Sequence, residues 1–126
     1  MIRLSRRWFA PVGAVLGIAL AGSAEAAPFD PVGRWTFHHT DGTAFTARLM
    51  ADQTATTDFG DGERGIWRWE HDAVRIVYTD GWDDLLSRTP DGRFRKRGWQ
   101  PGADRCAAAT NETPAAKISG DPRPPR

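Results

Sequence analysis

The chain has 126 residues, of which 40% are hydrophobic and 26% are charged, and its formal net charge is +1. This length excludes a doubly wound fold of two halves and a full-size α/β barrel, and the single cysteine excludes an intramolecular disulfide and a cysteine-based zinc site. A charge so close to zero gives no general reason to expect binding to nucleic acid or to anionic membranes.

The first 26 residues have the three parts of an export signal. They contain three arginines, an apolar run over residues 10–22, and the tripeptide Ala-Glu-Ala at 24–26, which offers small side chains to a signal peptidase. The run is shorter than the roughly 20 residues of a membrane-spanning helix. The sequence therefore predicts a signal peptide over 1–26, a linker over 27–32, and a periplasmic or secreted protein with no stable membrane anchor after cleavage.

Residues 5–9 (Ser-Arg-Arg-Trp-Phe) resemble the twin-arginine signal of bacteria. The resemblance implies export in the folded state, and an ordinary secretion signal with paired arginines is the alternative. Either route leads out of the cytoplasm. Without residues 1–26 the chain keeps 14 Lys and Arg against 15 Asp and Glu, so its formal charge becomes −1.

Four Asp-Gly pairs punctuate the rest of the chain, at 41–42, 61–62, 80–81 and 91–92. Asp-Gly is favoured in tight hairpin turns because both residues tolerate a positive φ. Between the pairs, apolar and polar residues alternate along several short runs, as in a sheet with one buried face. The predicted strands are Gly33–His39, Ala44–Ala51, Gln53–Phe59, Gly65–Glu70, Ala73–Thr79, Trp82–Arg88 and Arg93–Trp99.

These strands define an all-β fold class. No stretch after residue 30 keeps an apolar period of 3.6 residues for three turns, so no long helix is predicted. An antiparallel meander of six or seven short strands would leave two edges open to aggregation, and curling into a small barrel or half-barrel is the natural remedy. The predicted β domain covers residues 33–99. Residues 100–126 hold five prolines and few large apolar residues, which predicts an irregular tail, disordered at its end.

Two short motifs resemble those of lipocalins and related calycin barrels. Residues 33–35 (Gly-Arg-Trp) look like the Gly-x-Trp opening of that family, and residues 79–82 (Thr-Asp-Gly-Trp) are similar to its Thr-Asp-aromatic turn with a glycine inserted. The resemblance implies a reduced barrel with little ligand cavity, in which Trp35 plugs the floor. It also implies that an arginine of a late strand packs over this tryptophan, the candidates being Arg93, Arg95 and Arg97.

The predicted function is an exported binding or accessory module. Its partner would be a small molecule or another exported protein, with no nucleic acid and no cofactor. Strand alternation puts the late-strand arginines on one face with a tryptophan, and an aromatic and acidic run precedes them. The alternative is a solvated strand face whose arginines pair with aspartates across the hairpin. The predicted binding residues are Trp82, Asp83, Asp84, Arg93, Arg95 and Trp99.

The sequence offers few side chains in positions suited to catalysis, and no catalytic or metal site is assigned. The serines of the exported part do not lie in a strand–turn–helix elbow, and His38 and His39 are adjacent on a strand, so they point to opposite faces. Cys106 either has a free thiol of ordinary reactivity or forms a bond to a partner. Two other functions stay open: a metal-binding or hydrolytic enzyme that uses the Asp-rich turns and His71, and a protease inhibitor.

Overall fold

The computed structural model describes residues 29–119. It gives eight β-strands there, and within this range no helix is long and apolar enough to cross a membrane. The predicted signal peptide and residues 120–126 of the predicted tail lie outside the described residues. The strands are β1 (Gly33–His38), β2 (Ala44–Leu49), β3 (Thr54–Thr57), β4 (Glu63–Glu70), β5 (Ala73–Tyr78), β6 (Asp83–Arg88), β7 (Phe94–Trp99) and β8 (Asn111–Ser119).

The strands form a closed antiparallel barrel. Each one pairs with the next along the chain, and β8 pairs with both β7 and β1. The predicted all-β meander and its closure are confirmed, with eight strands instead of six or seven. Closure gives every strand two neighbours, which removes the open edges that a flat meander would expose. The architecture is compatible with a lipocalin-like barrel.

Residues 111–119 form a strand, with one shift of register in its pairing with β1, which corrects that part of the irregular tail predicted over 100–126. Ala115 lies opposite Phe94 of β7, and Ala116 lies opposite Thr36 of β1. Small side chains suit β8 because large aromatic rings from the facing strands already fill the interior. The strand therefore lacks the large apolar residues that would predict it from sequence. Residues 100–110 form the loop that joins β7 to β8.

The four Asp-Gly pairs lie in hairpin turns, as predicted, but only the glycine of each pair has a positive φ, between 87° and 99°. In the first turn the Gly42 N–H donates to the His39 carbonyl at 2.9 Å, and the Asp41 carboxylate accepts the N–H of Thr43. This is a type I turn followed by a left-handed glycine. Asp41 therefore acts as a side-chain acceptor and not as a second left-handed residue.

Aromatic side chains plug the end of the barrel at which residues 29–32 enter. Trp35 is fully buried there, and its Nε1 donates to the Pro31 carbonyl at 2.9 Å. Its ring meets Phe29 and Phe94 edge to face, with centroids 5.9 and 4.8 Å away. Trp35 thus occupies the floor position that the sequence resemblance implies.

A lysine, and not one of the expected arginines, lies over Trp35. The Nζ of Lys117, from β8, is 5.9 Å from the Trp35 ring centroid. Arg95 and Arg97 lie on the outer face of β7, and Arg93 lies in the turn before it with 87% of its side chain exposed. The expectation of an arginine was wrong because Lys117 belongs to β8, a strand that the sequence does not predict.

Candidate functional site

We call the opposite end of the barrel the open end, only to distinguish it from the plugged end. It lies between residues 39–43, 58–62, 79–82 and 100–110. Inward-facing positions that are apolar at the plugged end become polar and charged here, and all but the half-buried Glu63 remain buried. We call these residues the open-end cluster: Glu63, Tyr78, Asp84, Lys96 and Asn111. Buried charges are rare unless they are paired, so the cluster needs a physical explanation.

Asp84 and Lys96 form an ion pair inside the barrel. Their Oδ1 and Nζ atoms are 3.5 Å apart, and their side chains are 5% and 3% exposed. Lys96 Nζ also lies 3.3 Å from Asn111 Oδ1 and 5.8 Å from the Phe37 ring centroid. Burial raises the pKa of the Asp84 carboxyl, and the Lys96 charge partly offsets this. The pair thus holds opposite charges away from water in a largely aromatic interior.

Gly98 makes room for this pair. A Cβ at this position would lie 2.9 Å from both Asn111 Oδ1 and Asp84 Oδ1, closer than such atoms approach. The adjacent strands bring Gly98 directly opposite Asp84 and Asn111. The absence of a side chain on β7 therefore allows two polar groups from its neighbouring strands to meet beside Lys96.

The Tyr78 hydroxyl is buried in the same cluster, beside the Asp84 carboxylate, without a well-formed hydrogen bond. Among residues 29–119 it is the one buried side-chain polar atom that makes no hydrogen bond of acceptable geometry. Burial, together with the negative charges of Asp84 and Glu63, raises the pKa of Tyr78 well above its ordinary value. The hydroxyl therefore stays protonated at neutral pH and has a donor to offer.

Aromatic side chains from three loops and β2 cover the cluster. We call them the aromatic rim: His39, Phe45, Phe59 and Trp82. His39 stacks on Phe59 with ring centroids 4.3 Å apart, and Trp82 meets His39 at 5.4 Å. The space left beneath the rim is about 10 Å³, which is room for about one water molecule.

Glu63 stands at the edge of the cluster, where its Oε1 accepts a hydrogen bond from the Thr57 hydroxyl at 2.8 Å. Burial raises the pKa of Glu63 to about 7, and hydrogen bonding and charge repulsion from Asp80 add to this. A carboxyl with such a pKa exchanges its proton near neutral pH, as general acids and bases do.

We expect Glu63→Gln to flatten the dependence of stability on pH. The folded pKa of Glu63 lies above its unfolded value of 4.5, so the folded state binds the extra proton and stability falls as pH rises from about 4.5 to about 7. Glutamine cannot titrate but keeps the Oε1 acceptor. Urea unfolding at several pH values between 5 and 7 measures the slope.

Asp52→Asn is the control for this experiment. Hydrogen bonds from Thr54 lower the pKa of Asp52 from 3.8, so its contribution is lost only below about pH 4. The control should therefore keep the wild-type slope between pH 5 and 7. An equal slope in wild type and Glu63→Gln would contradict the assignment.

The structure separates the predicted binding residues. Trp82 and Asp84 lie at the open end, but Asp83 and Trp99 lie on the outer face beneath the loop of residues 100–110. Asp83 pairs there with Arg75 and with Arg105. The Trp99 indole donates to the Ala107 carbonyl at 3.2 Å. Adjacent residues of a strand face opposite sides of the sheet. The Asp84 side chain therefore lies inside the barrel, and the Asp83 side chain lies on its outer face.

The two predicted arginines lie elsewhere again. Arg93 is in the turn at the plugged end, 3.7 Å from Asp91. Arg95 pairs with Glu112 of β8 at 3.3 Å on the outer face, and not with an aspartate of β6. The structure therefore does not assemble the six predicted residues into one surface.

The two Asp-rich turns do meet at the open end, where Asp80 approaches Glu63. His71 does not join them, because it lies exposed in the β4–β5 turn at the plugged end. No group of three His, Cys, Asp or Glu side chains within residues 29–119 is arranged to hold a metal ion.

Tyr78, Lys96 and Asn111 are site residues that the sequence does not predict, and Glu63 enters only as the last residue of the Asp-rich turn over 58–63. One signal was available for Lys96. Alternation places it on the same strand face as Phe94, which is a core position, so a lysine there indicates a buried charge. Asn111 carried no signal, because its strand is not predicted from the sequence.

The fold and the site together define a small closed antiparallel β-barrel with a plugged end and a charged, covered open end. No protein-family model matches the chain, and no curated protein and no solved structure matches it.

Proposed function

We propose that this protein is a small binding module that takes a small polar ligand at the open end of its barrel. The observation that carries the proposal is the buried hydroxyl of Tyr78, which makes no well-formed hydrogen bond although it lies beside the Asp84–Lys96 pair. Proteins satisfy almost all of their buried polar groups, and an unsatisfied one costs about 1–3 kcal/mol. A polar atom of a ligand would remove this cost.

The chemistry of the cluster restricts the ligand. Lys96 and Tyr78 offer donors, Asp84 offers an acceptor, and Asn111 offers both. The aromatic rim offers ring faces. These groups suit a compact molecule that carries several hydroxyl or amine groups on a ring. Since the free space holds about one water molecule, such a ligand would enter by displacing rim side chains, of which His39, Phe59 and Trp82 lie outside the strands.

The proposal also includes the location of the protein and its kinship with other barrels. The export signal that the sequence predicts over residues 1–26 supports a periplasmic or secreted location. The position of Trp35 supports kinship with a reduced lipocalin-type barrel.

A panel of small probes tests the binding function. We expect at least one cyclic polyol, monosaccharide, nucleoside or aromatic amine to raise the unfolding temperature of the wild-type protein. Tyr78→Phe should weaken binding of that compound at least about tenfold, the value of a hydrogen bond within a charged cluster. Ser87→Ala, away from the open end, should leave binding unchanged. The absence of any shift across the panel, or equal binding by Tyr78→Phe, would contradict the proposal.

One observation favours a second function, an acid–base enzyme at the same end. The pKa of Glu63, near 7, suits a general acid that donates a proton to a leaving group, and the side chain of Asp80 lies beside it. Consumption of a panel compound that stops in Glu63→Gln would favour the enzyme. Binding without consumption favours the module.

A further inference from the structure

Three outward-facing arginines form a line across the first four strands. Arg34 of β1 lies directly opposite Arg48 of β2. Arg48 lies opposite Thr56 of β3, which in turn lies opposite Arg64 of β4. Neighbouring strands are about 4.8 Å apart, so the line covers roughly 14 Å of the outer face. The line lies on the outer face of the sheet and not inside the barrel.

Like charges directly opposite each other destabilise a sheet, and the barrel contains two such pairs. In the Arg68–Arg75 pair, Arg75 is neutralised by Glu70, at 2.7 Å, and by Asp83. The Arg34–Arg48 pair has no such neutralisation. Within residues 29–119 no carboxylate lies within 4.0 Å of a nitrogen of Arg34, Arg48 or Arg64. The fold therefore compensates one repulsive pair and leaves the other exposed.

The uncompensated pair borders a groove of about 260 Å³. Threonines from β2 and β3 line it beside the two arginines, and Asp58 closes one side. The Asp58 carboxylate accepts the backbone N–H of Thr46 at 2.8 Å, which fixes its position. An anion would therefore lie toward the arginines and away from Asp58. The lining residues are Arg34, Thr46, Arg48, Thr56, Thr57 and Asp58.

We propose that this groove binds a phosphate- or sulfate-type oxyanion between Arg34 and Arg48. Guanidinium groups donate two parallel hydrogen bonds to such oxyanions, and the outward-facing hydroxyls of Thr46 and Thr56 add donors, whereas the Thr57 hydroxyl already donates to Glu63. A bound oxyanion would remove the repulsion that the fold leaves uncompensated. Arg64, farther along the line, is placed to meet a second charge on a larger ligand.

Calorimetric titration at fixed ionic strength tests the site with inorganic phosphate, inorganic sulfate and phenyl phosphate, and with chloride as the control anion. We expect the oxyanions to bind and chloride not to bind. Equal affinities for inorganic and phenyl phosphate would indicate a site for the free ion. Tighter binding of phenyl phosphate would indicate an esterified group on a larger molecule.

Substitutions separate a built site from general positive charge. Arg48→Gln should weaken oxyanion binding at least about tenfold, the value of a charge-assisted hydrogen bond. Arg48→Lys should bind with intermediate affinity, because it keeps the charge but loses the paired donors. Arg93→Gln, which also removes one exposed arginine, should bind as wild type does. Wild-type affinity in Arg48→Gln, or equal losses in Arg48→Gln and Arg93→Gln, would overturn the proposal.

Stability without ligand gives an independent readout. Since Arg48 faces a like charge, Arg48→Gln should raise the unfolding temperature in chloride buffer while it weakens oxyanion binding. A fall in the unfolding temperature would show that Arg48 serves the fold, and would count against the site.

Discussion

Ala115→Lys is expected to lower the free energy of unfolding by more than about 4 kcal/mol, the range reached when an unpaired charge is buried. Ala115 is 8% exposed, belongs to the main core and faces Phe94 across the β7–β8 ladder. A lysine there must hold its ammonium group among aromatic rings or lose its proton, and both are costly. For a small domain, this loss approaches the whole stability.

The neighbouring substitution, Ala116→Lys, is the matched control. Ala116 is exposed and lies opposite Thr36 on the outer face, so lysine there should change the free energy of unfolding by less than about 0.5 kcal/mol. Urea unfolding followed by tryptophan fluorescence measures both variants. If the two tolerate lysine equally well, residues 111–119 do not close the barrel in this register.

The contrast between β8 and the other strands explains how far the sequence predicted the fold. Six of the seven predicted strands show apolar alternation because they supply the large side chains of the core, and β3, which supplies only Ala55, is bounded by turns on both sides. In β8 the inward positions are Asn111, Thr113, Ala115 and Lys117, none of which carries a large apolar side chain. Pro114 also removes a donor from the ladder, a feature that argues against an inner strand. Size complementarity is a property of the assembled barrel and leaves no hydrophobic pattern in one strand.

The candidate site was predictable only in part, for a related reason. Trp82 and Asp84 belong to a run whose charge and aromatic content stand out in the sequence. Their partners Tyr78 and Lys96 come from strands on either side of β6 and meet Asp84 only when the sheet is in register. Asp83 shows the opposite case, because one step along the strand sends its carboxylate to the outer face and to Arg75.

The second large effect on the free energy of unfolding is expected at the buried Asp84–Lys96 ion pair. Lys96→Met is expected to lower the free energy of unfolding by about 3–5 kcal/mol, because it leaves the Asp84 carboxylate buried without its counter-charge. The carboxyl can relieve part of this cost by taking a proton, since burial already raises the pKa of Asp84. The loss should therefore be smaller at pH 5 than at pH 7. Urea unfolding at both pH values measures it.

The double variant Asp84→Asn/Lys96→Met tests whether the two charges stabilise each other in the folded barrel. It removes both charges and keeps a polar side chain of similar size at position 84. Its loss of stability should fall short of the sum of the two single losses by about 0.5–3 kcal/mol, as is usual for groups in contact. Arg93→Met, at an exposed turn, should cost far less than Lys96→Met. Strictly additive losses would mean that the two charges do not interact in the folded barrel.

A stable double variant would also bear on function. Apolar or neutral replacements of a buried ion pair often cost nothing, so a barrel that folds well without Asp84 and Lys96 does not need their charges for its own stability. Groups kept in such a position are typical of sites at which stability is given up for activity. The double variant should then fold like wild type yet fail to bind any compound that the wild type binds through Tyr78. Full binding by this folded variant would place the ligand away from the open end.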